Sequence, residues 1–470
     1  MKKILVLPCG DALSHVSRAL EVAKGLRALR HEVIFASDGD HMRLPREEGF
    51  RVLPLKLVDP RVLGSKLHEG RMDWYDDATV AEHVAAELEL MEKVEPDLVL
   101  SDFRLTAGIS AELAGVPYAS ILNASWTNYC SVHSRTPEHK VPQNRRDRDR
   151  FTLKRILSGC ARRINRLRRA KKLADEGNLF GIRKCITLIR DCPEFRPGPG
   201  LPANSPYIWE LSTGAAPFNR FRRAKKLAGG GNLFDIWKGD ITLIADCPEF
   251  WPTRSLPTDF HYVGPITWEP KINAPAWLDE LESTRPTIYI TMGSAGSYQV
   301  FDLVIHLFGN AACQCIMTTA NLPNPSSYPA NFFVTDYAAG RQILRKSDLI
   351  ICQGGNGTIY QALSCGVPLI CIPTHGDQYN NSLRVAELGL GIHVTDVALL
   401  KRAVSEILSA PHYRENAKKF AAILQNYNGS ETAAALIHKF LDKSQPVICS
   451  NDQSWQMPRP RDCIHVGDRQ

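Results

Sequence analysis

Residues 348–378 read DLIICQGGNGTIYQALSCGVPLICIPTHGDQ. An apolar run at 348–352 stops at a glycine-rich loop, a helical stretch follows, Gly366-Val367-Pro368 turns the chain, and a second apolar run at 369–372 enters a polar loop. Short, continuously apolar runs bounded by turn residues and alternating with helices are strands of a parallel sheet covered on both faces. In such sheets ligands bind at the carboxyl ends of the strands. The stretch therefore points both to an α/β, doubly wound fold and to the place where its chemistry sits.

Two loops leave those ends. In Gln353-Gly354-Gly355-Asn356-Gly357-Thr358, glycine lets the backbone approach a ligand closely and take positive φ. The helix that follows aims free N–H groups and a positive dipole end at the loop, which suits phosphate. It is neither a Walker A loop nor the Gly-x-Gly-x-x-Gly dinucleotide fingerprint, and the glycines alone would also make a plain strand-to-helix turn. In the second loop, Asp377 can accept from two hydroxyls and Gln378 can donate and accept, a pair suited to a polyol. Alone, that pair is also ordinary loop polarity. A phosphate loop and a sugar clamp about twenty residues apart suggest a nucleotide-sugar.

Working outward, a strand at 287–292 runs into Gly293-Ser294-Ala295-Gly296, and strands at 314–318 and 332–335 follow. A second α/β pattern opens the chain, with strands at 4–7, 33–36, 98–101 and 116–122. Its first helix carries Val16, Ala19, Leu20, Ala23, Leu26 and Leu29 at helical spacing. The boundary falls at 263–266, giving domains 1–265 and 266–443, with a polar, aperiodic tail at 444–470 read as disordered. The 470 residues, 44% hydrophobic and 23% charged, fit two soluble domains of this size. No apolar run reaches the roughly 18 residues of a membrane span, and 4–7 is too short for a signal peptide, so a cytoplasmic protein is expected. The 13 cysteines are scattered without a Cys-x-x-Cys pair and read as buried apolar side chains.

The irregular middle holds a repeat. Residues 165–197 and 219–252 match at 25 of 33 aligned positions with one residue inserted. Two copies do not make a solenoid, so 165–218 reads as a duplicated insert. Residues 140–172 carry 14 basic and 2 acidic residues of a chain whose net charge is only +7. Within it, 151–167 reads as an amphipathic basic helix, and the stretch 151–172 could rest on an anionic membrane or simply present a solvated face. No motif or aromatic interleaving supports nucleic-acid binding.

Residues 352–378 resemble the donor-binding signature of family 1 glycosyltransferases, the UDP-sugar-dependent enzymes that include macrolide, flavonoid and steroid glycosyltransferases. Thr291-Met292-Gly293-Ser294, the segment DITLIADCPEFWPTRSLPTDFHYVGPI ending at Ile266, and SHVSRALEVAKGLRALRHEVIFAS near the N-terminus resemble the same family. The resemblance implies a GT-B fold, two Rossmann-like domains facing a cleft, with a lipophilic acceptor on the N-terminal domain and donor on the C-terminal one. It implies an inverting, metal-independent hexosyltransferase with no cofactor, UDP-sugar being a co-substrate. Gly293, Ser294, Gln353 to Thr358, Asp377 and Gln378 fall on the donor site, His15 on the general base and Asp102 on its acidic partner. Asp-x-Asp tripeptides at 38–40 and 147–149 are read as incidental, with no metal. Departures stand out: Gln353 replaces the family's usual His, and Asp336-Tyr337-Ala338-Ala339-Gly340 replaces its Trp-x-Pro-Gln. Two rival readings follow, a membrane-associated lipid glycosyltransferase and a non-catalytic binder of nucleotide-sugar.

Overall fold

The apolar runs become the strands of two parallel sheets in a computed structural model, which describes residues 1–59, 66, 73–130, 206–293, 299–320, 327–374 and 376–442. The first sheet contains β1 (Lys3–Pro8), β2 (Glu32–Ala36), β3 (Arg51–Leu53), β4 (Leu98–Asp102), β5 (Tyr118–Leu122), β6 (Ile241–Ile244) and β7 (Phe260–Tyr262). The second contains β8 (Thr287–Thr291), β9 (Gln314–Thr318), β10 (Phe332–Thr335), β11 (Leu349–Cys352), β12 (Leu369–Cys371) and β13 (Gly391–His393). Their orders are 3-2-1-4-5-6-7 and 10-9-8-11-12-13. Both reverse beside their first strand, which is the doubly wound arrangement with a switch point between β1 and β4 in one sheet and β8 and β11 in the other.

The predicted face of the first helix, α1 (Leu13–Ala28), packs as expected: Val16, Ala19, Leu20, Ala23 and Leu26 are fully buried. Leu29 shares their spacing but caps the helix and is exposed. Behind the sheet lie α2 (Asp77–Val94), whose N-cap Asp76 accepts from the Thr79 N–H, and α3 (Ala107–Ala114). Further along the chain come α4 (Pro206–Ala224) and α5 (Asn356–Ser364).

Two features refine the domain expectations. The last helix, α6 (Gly429–Leu441), lies within 266–443 yet packs on α1, where Ala433, Ala434 and Ile437 join the core of the first sheet. A Cβ at Gly25 would sit 2.8 Å from the Ala434 Cβ, so the two helices touch through small residues. The chain thus returns to the N-terminal domain. The repeat boundary also falls inside a helix: α4 runs through position 218, and Ala215 and Phe218, which precede it, are buried with Trp74, Val80 and Trp237. Most of 165–218, the basic helix at 151–172, the Asp147–Asp149 tripeptide and the tail at 444–470 lie outside the described residues. Among the described residues, no helix is long and apolar enough to cross a membrane.

Candidate active site

β1 and β4 lie side by side in register, with Pro8 opposite Asp102, so the loop leaving β1 and the carboxylate ending β4 meet at the switch point. Asp102 is 1% exposed and its Oδ1 lies 2.6 Å from His15 Nδ1 in the first turn of α1. Arg18, one helical turn further on, reaches the same carboxylate twice: Nε donates to Oδ2 at 2.9 Å and Nη2 to Oδ1 at 2.8 Å. A carboxylate held by two guanidinium bonds is an acceptor only. Arg18 Nη2 also lies 3.1 Å from His15 Nδ1. Two acceptors would repel at the 2.6 Å that separates Nδ1 from Asp102 Oδ1, so we assign the ring proton to Nδ1, which leaves Nε2 unprotonated in the neutral ring. The imidazole also stacks on Phe103, ring centroids 4.7 Å apart and 10° from parallel. Phe103 holds φ at +63°, a left-handed conformation uncommon for a bulky residue, and at a functional site such a departure goes with a side chain aimed for a purpose.

The C-terminal domain builds its site differently. Gly293 and Gly354 have φ of +54° and +86°. A Cβ on Gly293 would meet Gln353 Nε2 at 2.4 Å, and one on Gly355 the same atom at 2.8 Å. The buried Gln353 amide therefore lies between two glycine loops, and its Oε1 has no hydrogen-bond partner among the described residues. Helix α5 begins after Gly355 with no side-chain cap, so its first N–H groups are open to an anion. Gly357 and Thr358 sit in that turn, Gly357 exposed with nothing near its missing Cβ. Asn381 Nδ2 donates to the Gly354 carbonyl at 3.1 Å and fixes the loop.

The polyol clamp is less open than the sequence suggests. Gln378 Oε1 accepts from the Thr374 N–H at 3.0 Å and from its hydroxyl at 2.9 Å, so this oxygen closes its own loop. Asp377 stands in the first turn of the helix Gly376–Glu387. Ser294 lies outside the described residues.

A buried carboxylate joins the two halves. Asp246, after β6, accepts from Asn123 Nδ2 at 3.2 Å and the Ala124 N–H at 2.7 Å on the N-terminal side. From the C-terminal side it accepts from Asn356 Nδ2 at 2.8 Å and the Tyr360 hydroxyl at 2.9 Å. Burial pushes its pKa up, and these four donors work against that. Asn123 Oδ1 in turn accepts from Arg18 Nη1 at 2.7 Å. An unbroken polar path thus runs from His15 through Asp102, Arg18, Asn123 and Asp246 to the start of α5. It engages the Asn356 side chain in a domain contact.

Residues 287–436 match the glycosyltransferase family 28 C-terminal domain. The chain is 31% identical over 426 residues to the PGL/p-HBAD biosynthesis glycosyltransferase of Mycobacterium tuberculosis (strain H37Ra), spanning 89% of this chain and 88% of that one. This glycosyltransferase belongs to their family. It is 30% identical to the PGL/p-HBAD biosynthesis rhamnosyltransferase of Mycobacterium bovis (strain BCG / Pasteur 1173P2), over 89% of its own length and 84% of the relative's. The spinosyn rhamnosyltransferase SpnG complexed with thymidine diphosphate superposes with a TM-score of 0.63 at 15% identity, covering 94% of this chain and 100% of that one. At that identity the likeness speaks for the fold, and the fold is GT-B.

Sequence reasoning overlooked four residues that the structure brings to the candidate site. Arg18 reads as one more charge on a helix, but it stands three positions after His15, on the same face. Asn123 and Asp246 each follow a predicted or buried strand at its carboxyl end, the position that should have drawn notice. Asn381 has no comparable signal.

Proposed function

We propose that this glycosyltransferase transfers a hexose from a nucleoside-diphosphate sugar to a hydroxyl of a lipophilic acceptor, with inversion and without a metal or cofactor. The observation that carries the reading is the 2.6 Å contact between His15 Nδ1 and Asp102, with Arg18 on the same carboxylate: it supports a ring whose proton is on Nδ1 and whose Nε2 is the base. In the reaction the acceptor hydroxyl would give its proton to Nε2 as its oxygen attacks the anomeric carbon. The bond from that carbon to the diphosphate oxygen breaks as the new bond forms, on the opposite face. The negative charge gathering on the leaving diphosphate is met by the N-terminus of α5 and the amide of Gln353.

Several observations support the substrate classes. The aromatic rings of Trp74, Phe103, Trp126 and Trp237 lie against one another beside His15, a wall suited to an apolar acceptor. A relative is named a rhamnosyltransferase, so 6-deoxyhexoses belong among the donors. UDP is the nucleotide first expected, and the thymidine diphosphate held by the spinosyn enzyme adds a second candidate.

Thermal shift against UDP, dTDP and GDP, followed by transfer assays with the matching sugars, tests the proposal. A nucleotide at about 100 times its dissociation constant stabilises by about 2.7 kcal/mol, an easily read change. A chain that melts unchanged with all three would refute the donor site. One that binds a nucleotide-sugar yet turns none over would be a binding protein. The basic run at 140–172 favours a second reading, a lipid acceptor at a membrane surface, which predicts sedimentation with anionic liposomes that is lost at high salt.

A further inference from the structure

Three carboxylates are buried among the described residues: Glu87, Asp102 and Asp246. Two of them are paired with arginine. Arg18 grips Asp102, and the Nε of buried Arg104 donates to Glu87 Oε1 at 2.6 Å. Asp246 instead accepts from four neutral donors. Burying a charge without an adjacent countercharge is costly, so a neutral residue would serve better if packing were all that position 246 supplied.

Each oxygen of Asp246 serves one domain. Oδ2 takes the Asn123 amide and the Ala124 N–H, and Oδ1 takes the Asn356 amide and the Tyr360 hydroxyl. The direction of these bonds is set by third groups. The Tyr360 oxygen already receives the Cys247 N–H at 3.3 Å, which leaves its own proton for Asp246. The Asn123 carbonyl faces Arg18 Nη1, a group that can only donate, so its NH2 is assigned to Asp246. Burial pushes the Cys247 thiol up to about 12 and the Tyr360 phenol well above its ordinary value, so neither competes for the charge near pH 7. An asparagine at 246 would turn an NH2 toward two of the four donors. Only a carboxylate meets them all.

We propose that Asp246 is a positioning residue for the transfer reaction: through Asn123 and Arg18 it steadies the His15–Asp102 dyad, and through Asn356 and Tyr360 it sets that dyad against the start of α5. The proposal rests on the reading of His15 as base and of α5 as the diphosphate cradle. Arg18 spends Nε and Nη2 on Asp102. Asn123 takes the remaining Nη1 and keeps the guanidinium from turning off the carboxylate. The charge of Asp246 keeps the Asn123 amide the right way round. Without it the amide can turn over and set N–H against N–H, and the grip on Asp102 loosens although the dyad itself is unchanged. Base and cradle belong to different domains, and a slight misplacement of reacting groups can cost about 10²-fold in rate.

Two variants of the full chain, Asn123→Ala and Asp246→Asn, test it. The substrate-free readout is the tautomer of His15, read from its ring-nitrogen shifts by NMR of protein labelled in histidine, at a pH where the ring is neutral. His15→Gln identifies the signal. The native ring should carry its proton on Nδ1, and in both variants the shifts should move toward those of the Nε2-protonated form. Shifts identical to the native ones in either folded variant overturn the proposal, because a purely structural Asp246 would lower only the melting temperature. If Asp246→Asn fails to melt cooperatively, Asn123→Ala decides, since it leaves Ala124, Asn356 and Tyr360 on the carboxylate. In transfer assays kcat should fall about tenfold in both variants, with UDP affinity by calorimetry as in the parent. In an Arg18→Gln background Asn123→Ala should cost nothing further, the path being cut already; a fully additive loss would also overturn the proposal. A native ring protonated on Nε2, or a native chain that transfers no sugar, defeats the functional reading instead. Native-like transfer with unmoved variants defeats only the role of Asp246.

Discussion

The two switch points have the same topology and opposite construction. At the first, between β1 and β4, the working parts are side chains: a carboxylate, a guanidinium and an imidazole packed in contact. At the second, between β8 and β11, they are backbone: glycines at positive φ, an uncapped helix start and one amide laid across the gap. A site for proton transfer needs a group whose charge can change, and only side chains provide one. A site for a diphosphate needs several fixed N–H dipoles at close range, and these come from main chain. The first site should therefore fail when atoms are removed, and the second when atoms are added.

The largest effect belongs to the first site. His15→Ala should lower transfer about 10²–10⁴-fold, the scale of a lost general base, with donor affinity unchanged; a variant as active as the parent would end the assignment. Arg18→Gln keeps the base but loosens the carboxylate that orients it, so a smaller loss of about tenfold is expected, within the 10²-fold that a slight misplacement can cost. Because Arg18 acts through Asp102, its loss should also move the pH dependence of transfer. A purely structural role would leave the pH profile in place.

The same contrast explains what could be read from the chain. The central strands were legible because continuous apolar runs have few alternative readings; 314–318 matches its expected limits, and so does one edge strand, the four-residue apolar run at 332–335. The other edge strands, β3, β7 and β13, are only three residues long and partly exposed, so no periodicity marks them. The donor loop could be read because glycines at that spacing are a backbone signal, local in sequence. The partners of His15 were harder, since Asp102 and Arg18 reach it through a register between strands and a helical turn. Arg104 was invisible, because the sequence shows a charge but not whether it will be buried, and Asp246 offered only its place at a strand's carboxyl end.

Addition should break the donor site. Gly293→Ala would force a Cβ to 2.4 Å from Gln353 Nε2 at a φ of +54°, a conformation that also disfavours any side chain. Donor affinity should fall roughly tenfold or more, equivalent to about 1.4 kcal/mol, while binding of an acceptor probe is preserved. The subtractive control is Gln353→Ala, which removes one neutral donor and should cost about 1 kcal/mol. Equal donor affinity in both variants would place the diphosphate elsewhere. Gln353→His, which restores the family's usual residue, should raise turnover by up to about tenfold if the ring fits between the two glycine loops.

Acid should also act on the first domain. His31, His41, His83 and His261 all have pKa values pushed down by burial. Each binds a proton more readily when the chain unfolds. Below the ordinary value of 6.5 the unfolded state therefore takes up more protons, and stability falls as the pH drops toward the folded values, near 4 for His83. His31 adds a second penalty. Its Nε2 lies 2.9 Å from His438 Nδ1 on α6, with the N-terminal amine and Asp97 nearby, so full protonation sets two cations together where the last helix docks. The melting temperature should hold steady above about pH 7 and decline by pH 5. His438→Gln should flatten part of that decline. A melting temperature independent of pH over this range would contradict the assignment of these histidines as neutral.

The smallest effect is expected from the largest change. Deleting 165–218 removes 54 residues and joins Ile164 to Asn219. This cut discards Ala215 and Phe218, whose side chains are buried in α4 and whose ring, for Phe218, lies 5.2 Å from Tyr75. The repeat supplies substitutes. At its own spacing, Leu157 stands where Leu211 does, Ser158 where Ser212 does, Ala161 where Ala215 does and Ile164 where Phe218 does. The shortened chain would therefore rebuild the helix with the same small residue and a different apolar one. The exchange of Phe for Ile should cost roughly 1–2 kcal/mol, as modest core replacements do. A change in the length of the connecting chain alters closure entropy by only about 0.6 kcal/mol per doubling. The protein should remain folded, with donor affinity untouched, because the buried side chains among the described residues it removes, Ala215 and Phe218, pack with Trp74, Val80 and Trp237 in the first domain. Acceptor affinity is the sensitive readout, since the helix packs behind Trp74 and Trp237. Insoluble protein, or loss of a cooperative melt, would show that the first copy is built into the fold, and that the side-chain half of this enzyme reaches further along the chain than its described core.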